Sequence, residues 1–577
     1  MRRVAGLAYM KIEDVAESSA SSTSLERRTR RILGHLVALN GMHGIISCDM
    51  NGSEPGDYWS VGNLISVVHD GARLVGQVCD ITTSDQRWHS DGLNSTMVKI
   101  ELCGEVVDEA PGKPMFYRGI RSFPTLGAVA HRIRAADLRA IFAVQTGNVV
   151  EVGTLTQNKE IAATVSVEEL VRRHFAIVGS TGVGKTTSVS MLVKQCVRER
   201  PKLRVMIVDP HNEYASHFRK QAFLLDADTL ELPYWMFRFE EMIDVVYGGR
   251  KPNPDESDAL YEVIRAAKQR FAVGSRSADS TIRRSMPQEA NWVSADTPVP
   301  YRISDALQIL DDWAGKLDPR YARADLRSLK HRIDALSHDP RYRFMFGKVM
   351  VEDTMSKIVG SLFRLPIEGL PITIVQVAGL PNEVVNAVVS VIARMSFEIA
   401  AACHGEVQVA LLCEESHRYI PSNPALGFEP TRRAIGRIAK EGRKYGASLC
   451  IVTQRPSELD STVLSQCSTM FAMRLASERD KDIMAQAAGA SSQGTINFLS
   501  SLADREAIAF GEAIPTPMRM KFGDYRLFQQ LSDQRPLGAE ENADKSRDLL
   551  RQIVARLRGE YQPVDTAGVS PLKAVNG

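Results

Sequence analysis

From about residue 174 the chain repeats one pattern, in which short apolar runs alternate with stretches whose apolar residues recur every three or four positions. Continuous apolar runs are typical of strands buried on both faces of a parallel sheet, and the longer spacing is typical of amphipathic helices. The alternation predicts a largely parallel, doubly covered α/β sheet. Its strands are expected near residues 174–178, 204–208, 371–377, 408–413 and 448–453.

The region before this core has a different pattern. From about Gly44 to Val152, short β-like runs are separated by Gly, Asp and Asn at short intervals, which favours a small barrel or a sandwich. We expect this first domain over residues 31–152. Residues 1–30 are rich in Ser, Ala and Arg and are expected to form a flexible arm, more often a solvated tail than a DNA-binding one.

The core is expected over residues 153–530, with a helical insertion at about 230–370 that contains a Ser/Arg/Pro-rich piece near 274–300. Residues 531–577 are expected to form a C-terminal helix and tail. The helix has one apolar side, which more often docks on its own chain than on a partner, although a neighbour in a ring is the alternative.

Composition limits the possible classes of protein. The 577 residues are 44% hydrophobic, enough for the cores of more than one domain. The formal net charge of +2 means that a nucleic-acid surface must be a local patch. The cysteines are scattered without a C-x-x-C pair, so they are expected to be reduced core residues. No uninterrupted apolar run approaches the ~20 residues of a membrane span, and we expect a cytoplasmic protein without membrane contact.

The strongest chemical signal is the stretch GSTGVGKT at residues 179–186. In the pattern G-x-x-x-x-G-K-T, backbone N–H groups surround phosphates, the lysine reaches the β and γ oxygens, and the threonine hydroxyl binds Mg²⁺. An apolar strand enters the turn and a helix leaves it, so the phosphates lie at a helix N-terminus. The sequence therefore predicts ATP and Mg²⁺ as cofactors. The expected nucleotide contacts are Gly179, Ser180, Thr181, Gly182, Val183, Gly184, Lys185, Thr186 and Thr187.

Polar residues that could hydrolyse the nucleotide follow other strands. Glu414 and Glu415 come directly after the run ending at Cys413. We expect Glu414, with Thr186, to hold Mg²⁺ and Glu415 to polarise the attacking water, although an acidic helix start is the alternative. Gln454 ends the next strand and is a candidate for sensing the γ-phosphate. Asp209 ends the strand before Pro210 and is expected either to face the nucleotide or to cap a turn.

A helix is predicted between this acidic pair and Gln454, from about Pro430 to Tyr445. One of its faces is basic. A charged face is usually only solvated, but an ATPase that works in a ring needs an arginine from the neighbouring subunit. The candidates are Arg443 and Arg437, with Arg443 preferred because it lies nearer the sheet edge.

Taken together, these phrases resemble the HerA family of hexameric DNA-translocating ATPases, within the HerA and FtsK superfamily. The matching text is RHFAIVGSTGVGKT, DPHNEY, EESHRYIP, EGRKYG and TQRPSELD, in the family's order. Asn212 and Ser416 stand where the family more often has Gly and Ala, and neither is a proposed phosphate ligand.

The resemblance implies a RecA-like P-loop ATPase core after an N-terminal barrel of the HerA type. It also implies a homohexamer with ATP at the subunit interfaces and double-stranded DNA in the channel. Family members work with a nuclease or another effector, and some bacterial relatives pair with a nuclease or sirtuin-like protein in antiphage defence. The expected activity is ATP-dependent DNA translocation or unwinding, in DNA end processing or antiviral defence.

Other classes fit less well. A DExH helicase needs a second RecA-like domain, and too few residues follow Tyr525 to form one. A GTPase needs N-K-x-D, and Asn158-Lys159-Glu160-Ile161 differs at its last position. The remaining alternative is an ATPase ring that scaffolds and activates an effector without processive translocation.

Overall fold

The structure is a computed structural model. It describes residues 32–51, 59–84, 87–89, 93–143, 147–218, 221–279, 293–316, 320–347, 353–366, 371–488, 496–525 and 543–559. The predicted arm at 1–30, most of the piece near 274–300 and the C-terminal tail lie outside these residues. By their mutual contacts, the residues form two compact units, one from 1–166 with 470–523 and one from 167–469 with 524–577.

The first unit begins with an antiparallel sheet. The strands are β1 (Ile32–Asn40), β2 (His43–Asn51), β3 (Leu64–His69), β4 (Ala72–Thr83), β5 (Leu93–Ala110), β6 (Lys113–Tyr117) and β7 (Val129–Arg132). Their order is β2-β1-β7-β3-β4-β5-β6, and β2 also pairs with β5. That extra pairing closes the sheet into a barrel, which decides between the barrel and the sandwich that the sequence left open. Leu36, Ile46, Ile65, Val98 and Ile100 fill its core.

Short elements follow the barrel and lead to the second unit. They are α1 (Ala135–Phe142), β8 (Val149–Leu155), β9 (Ala162–Ser166) and α2 (Val167–Arg172). The strands β8 and β9 pair with each other in antiparallel fashion.

The second unit contains the strands and helices that the apolar runs predict. They are β10 (His174–Val178), α3 (Lys185–Glu199), β11 (Leu203–Asp209), α4 (Tyr214–Phe218), β12 (Phe223–Leu225), α5 (Phe239–Tyr247), α6 (Pro254–Asp279), α7 (Ile303–Lys316), α8 (Arg323–His338), α9 (Arg343–Phe346), α10 (Met355–Phe363), β13 (Ile372–Gln376), α11 (Asn382–Ala402), β14 (Gln408–Cys413), α12 (Glu429–Tyr445), β15 (Ala447–Thr453) and α13 (Ser461–Ser465). The helices α5 to α10 lie between β12 and β13 in the chain, where the helical insertion is expected.

The remaining elements complete the chain. They are β16 (Cys467–Ala472), α14 (Glu478–Ala488), β17 (Glu506–Gly511), β18 (Met518–Phe522) and α15 (Ala543–Leu557). In the first unit, β18 pairs with both β17 and β8.

The sheet of the second unit is parallel, with neighbours in the order β12-β13-β11-β14-β15-β10. Every residue of β10, β11 and β15 is buried, which explains why these strands are continuous apolar runs instead of alternating ones. The predicted fold class, an N-terminal barrel followed by an α/β core with a helical insertion, is confirmed. In a parallel sheet of this kind the carboxyl ends of the strands gather at one edge, where α/β proteins bind ligands.

Helix α11 is long and strongly apolar. Its segment Val384–Ala402 is long and apolar enough to cross a membrane by composition, with a mean hydropathy of 1.6, but 78% of that window is buried inside the protein. It packs against α5, α12 and α15. Its apolar character is therefore explained by its place in the core.

The cysteines are free: Cys79 and Cys103 are partly exposed, and Cys48, Cys196, Cys403, Cys413, Cys450 and Cys467 are buried. Helix α15 lies against α10 and α11 of its own chain. Arg558, just beyond α15, pairs with Asp353.

Candidate active site at the carboxyl edge of the parallel sheet

The glycine-rich turn joins β10 to α3. Gly182 and Gly184 have φ of 81° and 97°, a left-handed conformation that costs glycine little and other residues more. Lys185 begins α3, is only 8% exposed, and donates from Nζ to the carbonyl oxygen of Ser180, 3.1 Å away within the same turn. The turn thus holds a cation and the N-terminus of α3 together, which is the arrangement that binds phosphate.

Thr186 makes a contact that the sequence did not indicate. Its hydroxyl donates to Oε2 of Glu213 at 2.6 Å. Glu213 belongs to the DPHNEY phrase after β11. From that phrase, the sequence indicates only Asp209 as a residue that could face the nucleotide. Glu213 therefore stands beside the residue expected to bind Mg²⁺.

Asp209 has a structural task in this turn. It is fully buried, and its carboxylate accepts N–H bonds from His211, Glu213 and Tyr214. This is the turn-capping alternative for Asp209, and it directs the backbone so that Glu213 meets Thr186. Asn212 lies in the same turn with a φ of 59°, a conformation that both Gly and Asn tolerate.

Glu414 follows β14 and is 4% exposed. Tyr214 donates its hydroxyl to Glu414 Oε2. Burial raises the pKa of Glu414 to about 7, while the Tyr214 hydrogen bond and the charge of Lys185 act in the opposite direction. The carboxyl group therefore lies within electrostatic reach of the P-loop lysine, as the prediction of a metal ligand requires.

Glu415 has an unusual backbone and an unsatisfied side chain. Its φ and ψ are 49° and 48°, in the left-handed region that carboxylate residues adopt only occasionally. It is 7% exposed, and its Oε2 makes no hydrogen bond among the described residues. Nδ1 of His417 lies 3.3 Å from that oxygen. A buried carboxylate oxygen with a free lone pair is suited to orient a water molecule.

Gln454 lies beside the P-loop because β15 is the neighbour of β10. Val178 and Thr453 are partners in the parallel register, and the Gly179 N–H donates to the carbonyl of Thr453 at 3.2 Å. The hydroxyl of Thr181 donates to Oε1 of Gln454. The structure therefore brings the predicted sensor into contact with the predicted phosphate loop.

The two candidate arginines lie elsewhere. Helix α12 runs from the carboxyl edge back to the start of β15, so Arg443, near its end, lies at the amino edge of the sheet, opposite the P-loop. The sheet edge near which Arg443 lies is thus the edge far from the P-loop of its own chain. Its side chain is exposed, and no ion pair of it is found among the described residues. Arg437 is engaged within its own chain, with Glu441 and over the ring of Phe397 at 4.2 Å.

The residues present fit ATP and Mg²⁺. No group of three or more His, Cys, Asp or Glu side chains able to hold a metal occurs in the described part of the chain. Mg²⁺ in nucleotide sites is usually held by one or two protein groups together with phosphate oxygens and water. Thr186, Glu213 and Glu414 are the side chains available for that share.

The chain is similar to proteins named as HerA helicases. Residues 150–396 match the family model described as the central domain of helicase HerA. The DNA double-strand break repair helicase HerA of Pyrococcus furiosus is 24% identical over 416 residues, which cover 65% of this chain and 70% of the relative. The protein with the same name from Sulfolobus acidocaldarius is 22% identical over 483 residues, 80% of this chain and 88% of the relative.

Among solved structures, VirB4 of Thermoanaerobacter pseudethanolicus aligns with a TM-score of 0.47 and 14% identity, over 67% of this chain and 99% of that chain. The sequence matches confirm the resemblance that the ordered motifs predicted.

Proposed function

We propose that this chain, which is similar to the HerA helicases, is an ATP-dependent double-stranded DNA translocase or helicase that works as a homohexameric ring. The relatives are named as DNA repair helicases, and the chain carries a P-loop with acidic residues at the same sheet edge. Cytoplasmic DNA end processing or antiphage defence, with a nuclease or sirtuin-like effector, is the setting we propose for it.

The side chains divide the work of phosphoryl transfer among them. Lys185 and the loop 179–187 hold the phosphates, and Thr186 with Glu414 holds Mg²⁺, which when bound neutralises charge on the phosphate oxygens. Glu415 orients the attacking water. Gln454, which accepts a hydrogen bond from Thr181 of the phosphate loop, senses the γ-phosphate. Arg443 of a neighbouring subunit supplies the remaining positive charge.

One observation carries this proposal, namely the state of Glu415. A buried carboxylate oxygen that accepts no hydrogen bond costs free energy of folding, and Oε2 of Glu415 is such an oxygen, with only the ion-pair distance of 3.3 Å to Nδ1 of His417. Its neighbour Glu414 is engaged by Tyr214 instead. The two carboxylates therefore have different surroundings: Oε2 of Glu414 accepts from Tyr214, and Oε2 of Glu415 accepts no hydrogen bond among the described residues.

The test compares Glu415→Gln, Glu414→Gln and Lys185→Ala. We expect Glu415→Gln to bind ATP normally and hydrolyse it at least ~100-fold more slowly, because general-base contributions are of that order. Lys185→Ala should lose nucleotide affinity while the melting temperature stays unchanged. Arg418→Ala, an exposed neighbour, is the matched control and should behave as the parent. Normal turnover in Glu415→Gln would refute the assignment.

The effect of duplex DNA on ATP hydrolysis distinguishes a translocase from an ATPase scaffold. A translocase should hydrolyse ATP faster when long duplex DNA is present, and its affinity should fall steeply with salt but not depend on base sequence, because contacts to phosphate release counterions. An ATPase rate that is indifferent to duplex length, with effector added, would favour the scaffold.

A further inference from the structure

His417 lies three positions after Glu414 in the EESHRYIP phrase. The proposed mechanism of ATP hydrolysis assigns it no role. Its ring is half-buried, and burial lowers its pKa, so the neutral imidazole is the dominant form near pH 7. Nδ1 lies 3.3 Å from Oε2 of Glu415 and 3.1 Å from Oγ1 of Thr453. One ring nitrogen thus faces both the free oxygen of Glu415 and the last residue of β15.

Thr453 is a junction between three parts of the site. Its carbonyl accepts from the first glycine of the P-loop, Gly179. Its hydroxyl oxygen accepts from the N–H of Arg455 at 3.1 Å as well as contacting His417. The backbone of the sheet and of the following turn therefore fixes the position of Thr453. Thr453 in turn restrains the His417 ring that contacts its hydroxyl oxygen.

We propose that His417 is a positioning residue for Glu415. A proton on Nδ1 points into the space that Thr453 Oγ1 and Glu415 Oε2 share, so the ring restrains the carboxylate from one side and leaves its remaining lone pairs for water. The left-handed backbone of Glu415 lets its side chain turn back toward the ring two residues later. The inference rests on the proposed role of Glu415 in hydrolysis.

This role makes a specific kinetic prediction. A displaced catalytic group can cost about a hundredfold in rate without a change in binding, so His417→Ala should lower kcat about 10- to 100-fold, with KM and the affinity for a fluorescent ADP analogue within about twofold of the parent. His417→Asn places an amide near the position of Nδ1 and should recover part of kcat. Thr453→Val, which removes the ring's support, should lower kcat in the same direction.

A double-mutant cycle distinguishes positioning from an independent effect. If His417 acts through Glu415, His417→Ala should change the residual rate of Glu415→Gln by less than about twofold. Arg418→Ala, exposed and adjacent, is the matched control. The full-length protein is used throughout, and each variant's melting temperature is measured. If His417→Ala does not fold, the kcat values of His417→Asn and Thr453→Val test the proposal instead. A parent-like kcat in both variants overturns it.

Two further outcomes overturn it. One is parent-like kcat in a folded His417→Ala, and the other is an equal loss from His417→Ala in the parent and in the Glu415→Gln background. Parent-like turnover of Glu415→Gln itself would instead refute the proposed function, so the two failures are distinguishable.

Discussion

Two arginine–glutamate pairs join α5 to its neighbouring helices, and one is buried while the other is exposed. Arg394 of α11 pairs with Glu241 at 3.0 Å, and the two side chains are 13% and 3% exposed. Arg433 of α12 pairs with Glu240 at 3.1 Å, with 63% and 59% exposure. They offer a matched test of how burial sets the value of an ion pair in this protein.

The buried pair is part of a larger network. Glu241 accepts from Ser390 Oγ at 2.8 Å and from the backbone N–H of Arg238 at 2.8 Å, which caps the start of α5. Arg394 also donates to the carbonyl of Met236 and pairs with Glu398. Removing Arg394 leaves a buried carboxylate without its cation, and such losses cost about 3–5 kcal/mol.

We therefore expect Arg394→Ala to destabilise the α5 region by about 3–5 kcal/mol and Arg433→Ala by less than about 1 kcal/mol. Hydrogen exchange of the α5 amides measures the local opening free energy directly. The first variant should speed exchange by about a hundredfold or more, since each 1.4 kcal/mol is about tenfold. The second should change it by less than about tenfold.

Similar exchange rates in the two variants would refute the reasoning. A second check is the pair Arg394→Met with Glu241→Leu, which removes both charges together. Its cost should be smaller than that of Arg394→Ala alone, because no buried charge is left unpaired. A larger cost would show that the helix cap and the Ser390 contact outweigh the ion pair.

Three other predictions concern the nucleotide site and the buried His174. Mixing Lys185→Ala with Arg443→Ala subunits should restore some ATPase activity, because a mixed ring contains interfaces free of both changes; absence of rescue in verified mixed rings would exclude Arg443 as the arginine in trans. Glu213→Gln should weaken nucleotide affinity in Mg²⁺ more than in EDTA, because Glu213 holds Thr186; equal weakening in both buffers would contradict this. His174 accepts from the Leu449 N–H and contacts the Ala439 carbonyl, and burial lowers its pKa. The unfolded chain then binds a proton that the folded one does not, so urea midpoints should fall as pH drops below ~6.5, and this fall should be smaller in His174→Gln.

The sequence predicted the strands of the core well because their signal is local. A run such as His174–Val178 is buried on both faces, and its continuous apolar sequence is enough to identify it as a strand. The P-loop is equally local, since its spacing carries its chemistry. For the first domain, the sequence predicted short strands but did not distinguish a barrel from a sandwich. Closure of the barrel depends on the pairing of β2 with β5, two strands far apart in the chain.

The contacts that complete the site could not be read from the sequence. Glu213 meets Thr186 because Asp209 and the left-handed Asn212 bend the turn between them. His417 meets Thr453 across two neighbouring strands, 36 residues apart in the chain. The edge at which Arg443 lies also needed the direction of α12. Each of these depends on how backbone segments are placed side by side, which no periodicity encodes.

The backbone of Glu415 has a consequence for anyone who engineers this protein. A non-glycine residue at a φ of 49° stores about 1–2 kcal/mol of strain, and glycine at this position would release it. Selection for heat resistance alone would therefore reward the loss of the proposed catalytic carboxylate, and stability and turnover would move in opposite directions at this one position. A thermostability library of this enzyme should hold residue 415 constant, or be screened for hydrolysis at every round.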